Sequence, residues 1–441
     1  MTCSSEAVAR PAASRARAVR APELAIRVLA AGVLLLSGGC ALMKPAPEPV
    51  VVQAPPPPPP LPVPTATHRF VLDPRSDVVG VVRRVVVGKE DTLPDIARRF
   101  NVGYEEIVRA NPGVDPWLPG EGREVVVPTQ FVLPDAPREG VVVNVAAMRL
   151  FYYPAPNKKG DPREVITHPI GIGKVGWNTP EGVTKIVSRT KDPTWTPPAS
   201  VRREHLKNGE KLPARVPPGP DNPLGAHMFR LGWPSYLVHG TNKPYGVGMR
   251  SSHGCVRLYP EDIEILFEAV PVGTQVRVVN QPYLVGWAGE RLYVQAYGPL
   301  EDDKRDWEHG PKSLLKKSAK SKNPLWQKIR AHDADIDWDE ARAQSAKPLG
   351  VPVPVMKGDG LALDQVLAQA TLVQNVLPTG ATWNGKTELL VDEAQYNEMV
   401  GEREAADAPG AATAVPAPVG ATAPRTAPSA AAPTAQRTAA R

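Results

Sequence analysis

"HGTNKPYGVGMRSSHGCVRL", residues 239–258, carries two histidines and a cysteine among glycines and short polar residues, where a buried strand would carry Val and Ile. The run "SYLV" ahead of it predicts a strand ending near His239. Behind it Pro260 opens a helix: Glu261 and Asp262 suit a positive N-terminal end, and Ile263, Leu266, Phe267 and Val270 form one buried stripe. The stretch is therefore a strand-to-helix connection, a common location for reactive groups. A zinc site needs three or four Cys, His or carboxylate ligands, often in close pairs. His253 and Cys255 are one residue apart with no second cysteine near them, so no metal is expected. Nucleophilic catalysis fits better. A free thiol, with a pKa of about 8.5, needs a base or a cation beside it, and His239 at a strand end can supply the base. Gly254 directly before Cys255 lets a backbone amide approach a substrate carbonyl without side-chain obstruction.

Outward from this segment, "VVVNVAAMRLFYYP", "EVITHPIGIG", "GVTKIVSRT" and "GTQVRVVN" are short apolar or alternating runs separated by Gly, Pro and Asn. They predict a mainly β domain over 140–280, with a short helix after the cysteine loop. "HG" at 239–240 followed by "SHGCVRL" at 252–258 resembles the active-site signature of the L,D-transpeptidase catalytic domain, the YkuD-type fold, and the similarity runs from about Val141 to Asn280. The resemblance implies a cysteine acyltransferase working on peptidoglycan tetrapeptide stems without a cofactor. Cys255 matches the acylated nucleophile, His239 the general base and acid, and His253 a histidine supporting the thiolate. Gly254 with Cys255 matches the oxyanion amides. Ser252 is expected to orient the loop, Arg257 to position charge, and Trp195 and Tyr236 to line the cleft. The acceptor is left open between a second stem, a lysine of an outer-membrane lipoprotein, and water, which would make the protein an L,D-carboxypeptidase.

Ahead of this domain, "RRVVVGKEDTLPDIARRFNVGYEEIVRANPGVDPWLPGEGREVVVPTQ" predicts strand, helix, helix, strand. Leu93, Ile96, Ala97 and Phe100 fall on one helical face, and Tyr104, Ile107 and Val108 on a second. Residues 84–129 resemble a small βααβ LysM domain, which implies peptidoglycan binding through Asp91, Thr92 and Asn111. That family often has glycine where this chain has Glu90 or Asp91, so a different leading turn is expected. None of these residues is a plausible nucleophile, and the module is expected to set location rather than chemistry. The other reading left open is a wall-binding lipoprotein in which this module does all the work.

The remainder of the 441 residues is read from composition. Residues 1–40 combine five arginines with the short apolar run "VLAAGVLLLSGG" and end at Cys40. This resembles a lipobox, with Ser37 where that pattern prefers an aliphatic residue, and implies a lipid-anchored protein on the periplasmic side of a bacterial membrane. Ala41 in place of the Asp that marks inner-membrane retention in enteric lipoproteins favours the outer membrane. Removing the leader takes the formal charge from +6 to +3, since it holds five Arg against Glu6 and Glu23, and no nucleic-acid partner is expected. Of Cys3, Cys40 and Cys255, only Cys255 would remain as a free thiol. Residues 41–82 are read as a Pro-rich linker and 403–441 as a disordered Ala/Pro/Thr tail. Residues 281–402 form an extension without legible chemistry.

Overall fold

The structure is a computed structural model describing residues 61–65, 67–307, 329–359 and 363–387. The leader with Cys40 and the 403–441 tail lie outside the described residues. Nine strands form the main sheet, in the order His68–Val71, Glu164–Pro169, Arg149–Tyr153, Gly140–Asn144, Gln275–Val279, Gly182–Lys191, His227–Leu231, Leu237–His239 and Val256–Arg257. Two of its pairings are parallel, Gly140–Asn144 with Gln275–Val279 and Leu237–His239 with Val256–Arg257.

Both faces of the sheet are covered at Arg149–Tyr153, which explains why that strand is buried at every position rather than at alternate ones. Leu150 and Tyr152 join Phe229, Val238 and Val256 in the larger core, and the helix Pro260–Ala269 adds Ile263, Leu266 and Phe267. Phe151 and Tyr153 point the other way, against Phe131 and Leu133.

The module at 84–129 has helices Leu93–Arg99 and Tyr104–Ala110 between strands Arg83–Val86 and Glu124–Val127. Thr92 caps the first helix and closes a capping box with Asp95. Glu90 sits at φ 62, the left-handed conformation that glycine would take without strain. The module is bonded to the catalytic sheet rather than tethered to it. Arg149, with a fully buried side chain, donates through Nε and Nη2 to both carboxylate oxygens of Glu106 at 2.7 Å. Arg98 makes a second two-pronged ion pair, with Glu261. The amides of Tyr104 and Glu105 donate to the carbonyls of Val247 and Gly248 at 3.0 and 3.2 Å.

The structure adds elements to two segments read only from composition. The linker assigned to 41–82 contains strands His68–Val71 and Val78–Gly80, the first of which pairs in register with Glu164–Pro169 at the sheet edge. Neither strand contains a proline, so their amides are free to join a ladder. The extension from 281 builds a three-stranded sheet, Tyr283–Ala288, Arg291–Ala296 and Val353–Pro354, packed around Trp307 and Trp338. Thr371–Leu372 then pairs parallel with Arg83–Val86 of the module.

Candidate active site

The parallel pairing of Leu237–His239 with Val256–Arg257 sets Val238 opposite Val256 and His239 opposite Arg257. Side chains alternate along a strand, so Val238 and Val256, both buried in the core, take one face. Cys255, His239 and Arg257 take the other. The alternation is readable in "CVR", where Val256 separates Cys255 from Arg257, and in His239, which follows the buried Val238.

His239 is buried, and its Nδ1 lies 2.6 Å from the carbonyl oxygen of Gly240. That contact fixes Nδ1 as a donor and leaves Nε2 with the lone pair. Burial first, and then the Arg257 charge, hold the imidazole down to about 3, against the pull of the Gly240 and Leu224 carbonyls. The ring is therefore neutral at neutral pH. The Cys255 thiol donates to Ser235 O at 3.7 Å. Burial pushes it up, while the Leu237 amide and Arg257 pull it down. Arg257 itself is held by Ser251 Oγ at 3.3 Å and makes no ion pair among the described residues, so its charge is not cancelled by a carboxylate.

Ser252 Oγ donates to the Cys255 carbonyl at 2.6 Å and accepts from the Gly254 amide at 3.1 Å, closing a tight turn around the nucleophile. The Gly254 amide is thereby engaged by Ser252. Gly254 also supplies shape. Its φ is 102, and a Cβ there would sit 2.9 Å from Tyr236 Cε1 and 3.3 Å from Asn178 O. Tyr236 thus packs directly on the cysteine turn, whereas Trp195 is paired with Val216 through two backbone bonds in the 192–226 excursion.

The His253 ring is engaged outside the cysteine turn: its Nε2 is 2.7 Å from Glu204 Oε2, with Trp177 edge-on at 4.8 Å. Glu204 lies on the helix Ala199–Lys207 and also pairs with Lys174. Hydrogen bonding from Lys174, then from His253, holds the Glu204 carboxyl below its ordinary range. Sequence reading missed Glu204, because it lies 49 positions from its partner. Thr179 was missed too: its Oγ1 donates to the Gly254 carbonyl at 3.0 Å and accepts from the Gly173 amide at 3.2 Å.

Asp91, Thr92 and Asn111 are not brought to this site. Asp91 binds Arg99, the Gly88 amide and Asn375, and Thr92 caps its helix. Asn111 bridges Ile107 O and both backbone groups of Val126. In this structure their polar groups bond within the fold. Among the described residues no group of three His, Cys, Asp or Glu could hold a metal ion.

Comparison with known proteins agrees with this architecture. The L,D-transpeptidase catalytic domain (YkuD) matches residues 138–278, and the LysM domain matches residues 85–128. The chain is 39% identical over 290 residues to the probable L,D-transpeptidase ErfK/SrfK of Escherichia coli, covering 64% of this chain and 89% of that protein. It is 45% identical over 224 residues to the probable L,D-transpeptidase YcfS of the same organism, covering 49% of this chain and 68% of that one. Similarity that takes in nearly the whole of a relative, together with a catalytic-domain match spanning the cysteine turn, places this chain in the L,D-transpeptidase family.

Proposed function

We propose that this protein is a peptidoglycan L,D-transpeptidase in which Cys255 is the nucleophile and His239 its base and acid. The observation that carries the reading is the single strand-pair face shared by Cys255, His239 and Arg257. His239 Nε2 takes the thiol proton. The thiolate attacks the carbonyl that joins the L-centre of a stem's diaminopimelate to its terminal D-Ala. The C–N bond breaks, the leaving amine of D-Ala takes the proton from His239, and a thioester remains. An acceptor amine then attacks the thioester, gives its proton to His239, and restores the thiol. The bond energy is kept in the thioester, so the exchange needs no nucleotide.

Arg257 favours the thiolate over the thiol and also keeps His239 neutral, so that the base is unprotonated when the stem binds. The Leu237 amide, aimed at the sulfur, acts in the same direction. The acceptor is an amine of a second stem or of a lipoprotein lysine. The leader and Cys40 support a lipid-anchored protein on the periplasmic face of the outer membrane, and a mature N-terminus other than acylated Cys40, read by mass, would end that part of the proposal.

The catalytic reading is tested on the Cys255 peptide. Incubation with tetrapeptide, or with a carbapenem, is expected to give a stoichiometric covalent adduct there. Cys255→Ala removes adduct and turnover together. His239→Gln slows turnover by about 10²–10⁴, the usual worth of general acid–base catalysis. Turnover surviving in Cys255→Ala, or abolished by a chelator and restored by zinc, overturns the mechanism.

A further inference from the structure

Two buried polar groups without a hydrogen-bond partner among the described residues, one a donor and one an acceptor, belong to residues that line the same cavity. The donor is Arg250 Nη1. Arg250 commits Nε to the Gly173 carbonyl at 3.2 Å and Nη2 to Asp302 at 2.9 Å, while Glu301 stands 3.9 Å from Nη1, beyond hydrogen-bond reach. The acceptor is Oδ1 of Asn280, a residue only 7% exposed. Its amide orientation is fixed, because Nδ2 donates to the Asp303 carboxylate at 3.0 Å and a flipped amide would set oxygen against oxygen. Buried polar groups are nearly always paired, so a donor and an acceptor left over at one cavity point to a ligand that carries both.

The cavity measures about 290 Å³, and none of residues 252–257 lines it. Thr179, which does line it, also bonds the Gly254 carbonyl, so the cavity adjoins the cysteine turn without containing the thiol. Val145, Ile172 and Leu300 give it an apolar surface. The volume falls just under the range of about 300–1,000 Å³ usual for small-ligand sites, which suits a single amino acid better than a peptide stem.

Charge narrows the choice further. The ionic groups on the wall are Arg250, Arg305, Glu181, Asp302 and Asp303, two cations against three carboxylates. Arg250 pairs with Asp302, and Arg305 is shared between Asp303 and Glu181. The surplus is one negative charge, and Asn280 stands beside Asp303. A plain anion would satisfy Arg250 but meet that surplus. A metal ion is poorly served, since among the described residues no group of three His, Cys, Asp or Glu could hold one. The fitting ligand offers a carboxylate to Arg250, an ammonium to Asn280 Oδ1 and the neighbouring carboxylates, and a small apolar body to Leu300 and Ile172. An α-amino acid carries all three on one carbon.

We propose that this cavity binds a free, small apolar α-amino acid as its zwitterion, with the carboxylate on Arg250 and the ammonium on Asn280. The site is separate from Cys255 and does not depend on what the thiol acts on.

The full chain is titrated calorimetrically with D-alanine and with L-alanine, and tetrapeptide turnover is measured in parallel. Propionate and ethylamine, each of which keeps the apolar body and one of the two charges, are run alongside. At least one enantiomer of alanine is expected to bind, and both half-ligands bind at least tenfold more weakly. Asn280→Leu removes the acceptor, and Leu300→Trp fills the cavity without removing a polar group. Each weakens alanine binding at least tenfold and leaves turnover within twofold. Cys255→Ala keeps the wild-type affinity, because no thioester takes part. The proposal is overturned if neither enantiomer binds, or if propionate or ethylamine binds as tightly as alanine. Unchanged binding in folded Asn280→Leu or Leu300→Trp, or loss of binding in Cys255→Ala, overturns it as well. Alanine binding without tetrapeptide turnover would instead sink the catalytic reading and leave this one standing.

Discussion

Glu106→Ala is the most informative single perturbation of this molecule, because Glu106 closes three contacts at once. Its carboxylate receives Arg149 through two bonds of 2.7 Å and the Gly103 amide at 2.6 Å. Arg149 has a fully buried side chain, and its other partners are Asn101 O, Thr167 Oγ1 and the Phe131 ring, none of them anionic. Removing the carboxylate leaves a guanidinium uncompensated in the interior, which costs about 3–5 kcal/mol. In a folded unit this large, roughly 2 °C of Tm per kcal/mol gives a fall of about 6–10 °C. The pairing of Glu106→Leu with Arg149→Met removes both charges and is expected to recover most of the loss, short of about 1–3 kcal/mol for the orphaned Gly103 amide. Denaturant melts followed by near-ultraviolet dichroism and by Cys255 acylation should move together in both variants. A separate early transition in Glu106→Ala, with acylation persisting to the wild-type midpoint, would refute the claim that module and catalytic sheet form one cooperative unit.

Stability should fall with acid from about pH 6.5 downwards. His239 and His68 are each held to about 3 in the fold, His68 by burial and then by Arg149. The unfolded chain therefore binds more protons between the ordinary histidine value and about 3, and stability present above pH 6.5 is lost as pH drops through that window. Two such histidines give a slope approaching about 2.7 kcal/mol per pH unit, read from urea melts at pH 7.5, 6 and 5, and His68→Gln should halve it. Gly254→Ala forces its Cβ to within 2.9 Å of Tyr236 Cε1 at φ 102. Acylation by a carbapenem is expected to slow by about 100-fold through displacement of the thiol, and a rate within threefold of wild type would show that the turn yields. Glu204→Gln should slow acylation by about 10- to 100-fold by releasing His253, with Glu204→Asp restoring part of the rate. An unchanged rate and pH profile in Glu204→Gln would make the Glu204–His253 contact merely structural.

The sequence was most legible where one local pattern determined one environment. The module's helix faces at Leu93–Phe100 and Tyr104–Val108, and the Ile263–Phe267 stripe, follow from periodicity alone, because each element needs only to bury one side. The reactive cysteine was legible because its neighbours are poor strand residues at a strand end. Pairings across long separations were not legible. His68–Val71 looked like the end of a Pro-rich linker, yet its partner strand lies about 95 positions away. Glu204 is an ordinary charge in "VRREHLKNGEK" until the fold carries His253 to it. Gly254 was singled out by residue type, but the bond from its amide to Ser252 Oγ was not legible. No sequence pattern records which of two acceptors an amide will find.

The same limit explains why counting motifs separates what the physics joins. The helix Tyr104–Ala110 starts with backbone amides that need acceptors, and its own Gly103 cap has no side chain to offer. The loop before Arg250–Ser252 presents the Val247 and Gly248 carbonyls, which need donors. Each set satisfies the other, at 3.0 and 3.2 Å. The fit is close enough that a Cβ on Gly248 would meet the Tyr104 nitrogen at 2.3 Å and one on Gly103 would meet Gly248 Cα at 2.8 Å. That loop continues within a few residues into Ser252 and Cys255, so the module holds one end of the segment that carries the nucleophile. A chain lacking 84–129 would leave those carbonyls and Glu261 without the partners the module supplies, and Arg149 without its carboxylate. Such a deletion is therefore expected to abolish acylation at Cys255, although no residue of the module belongs to the chemistry.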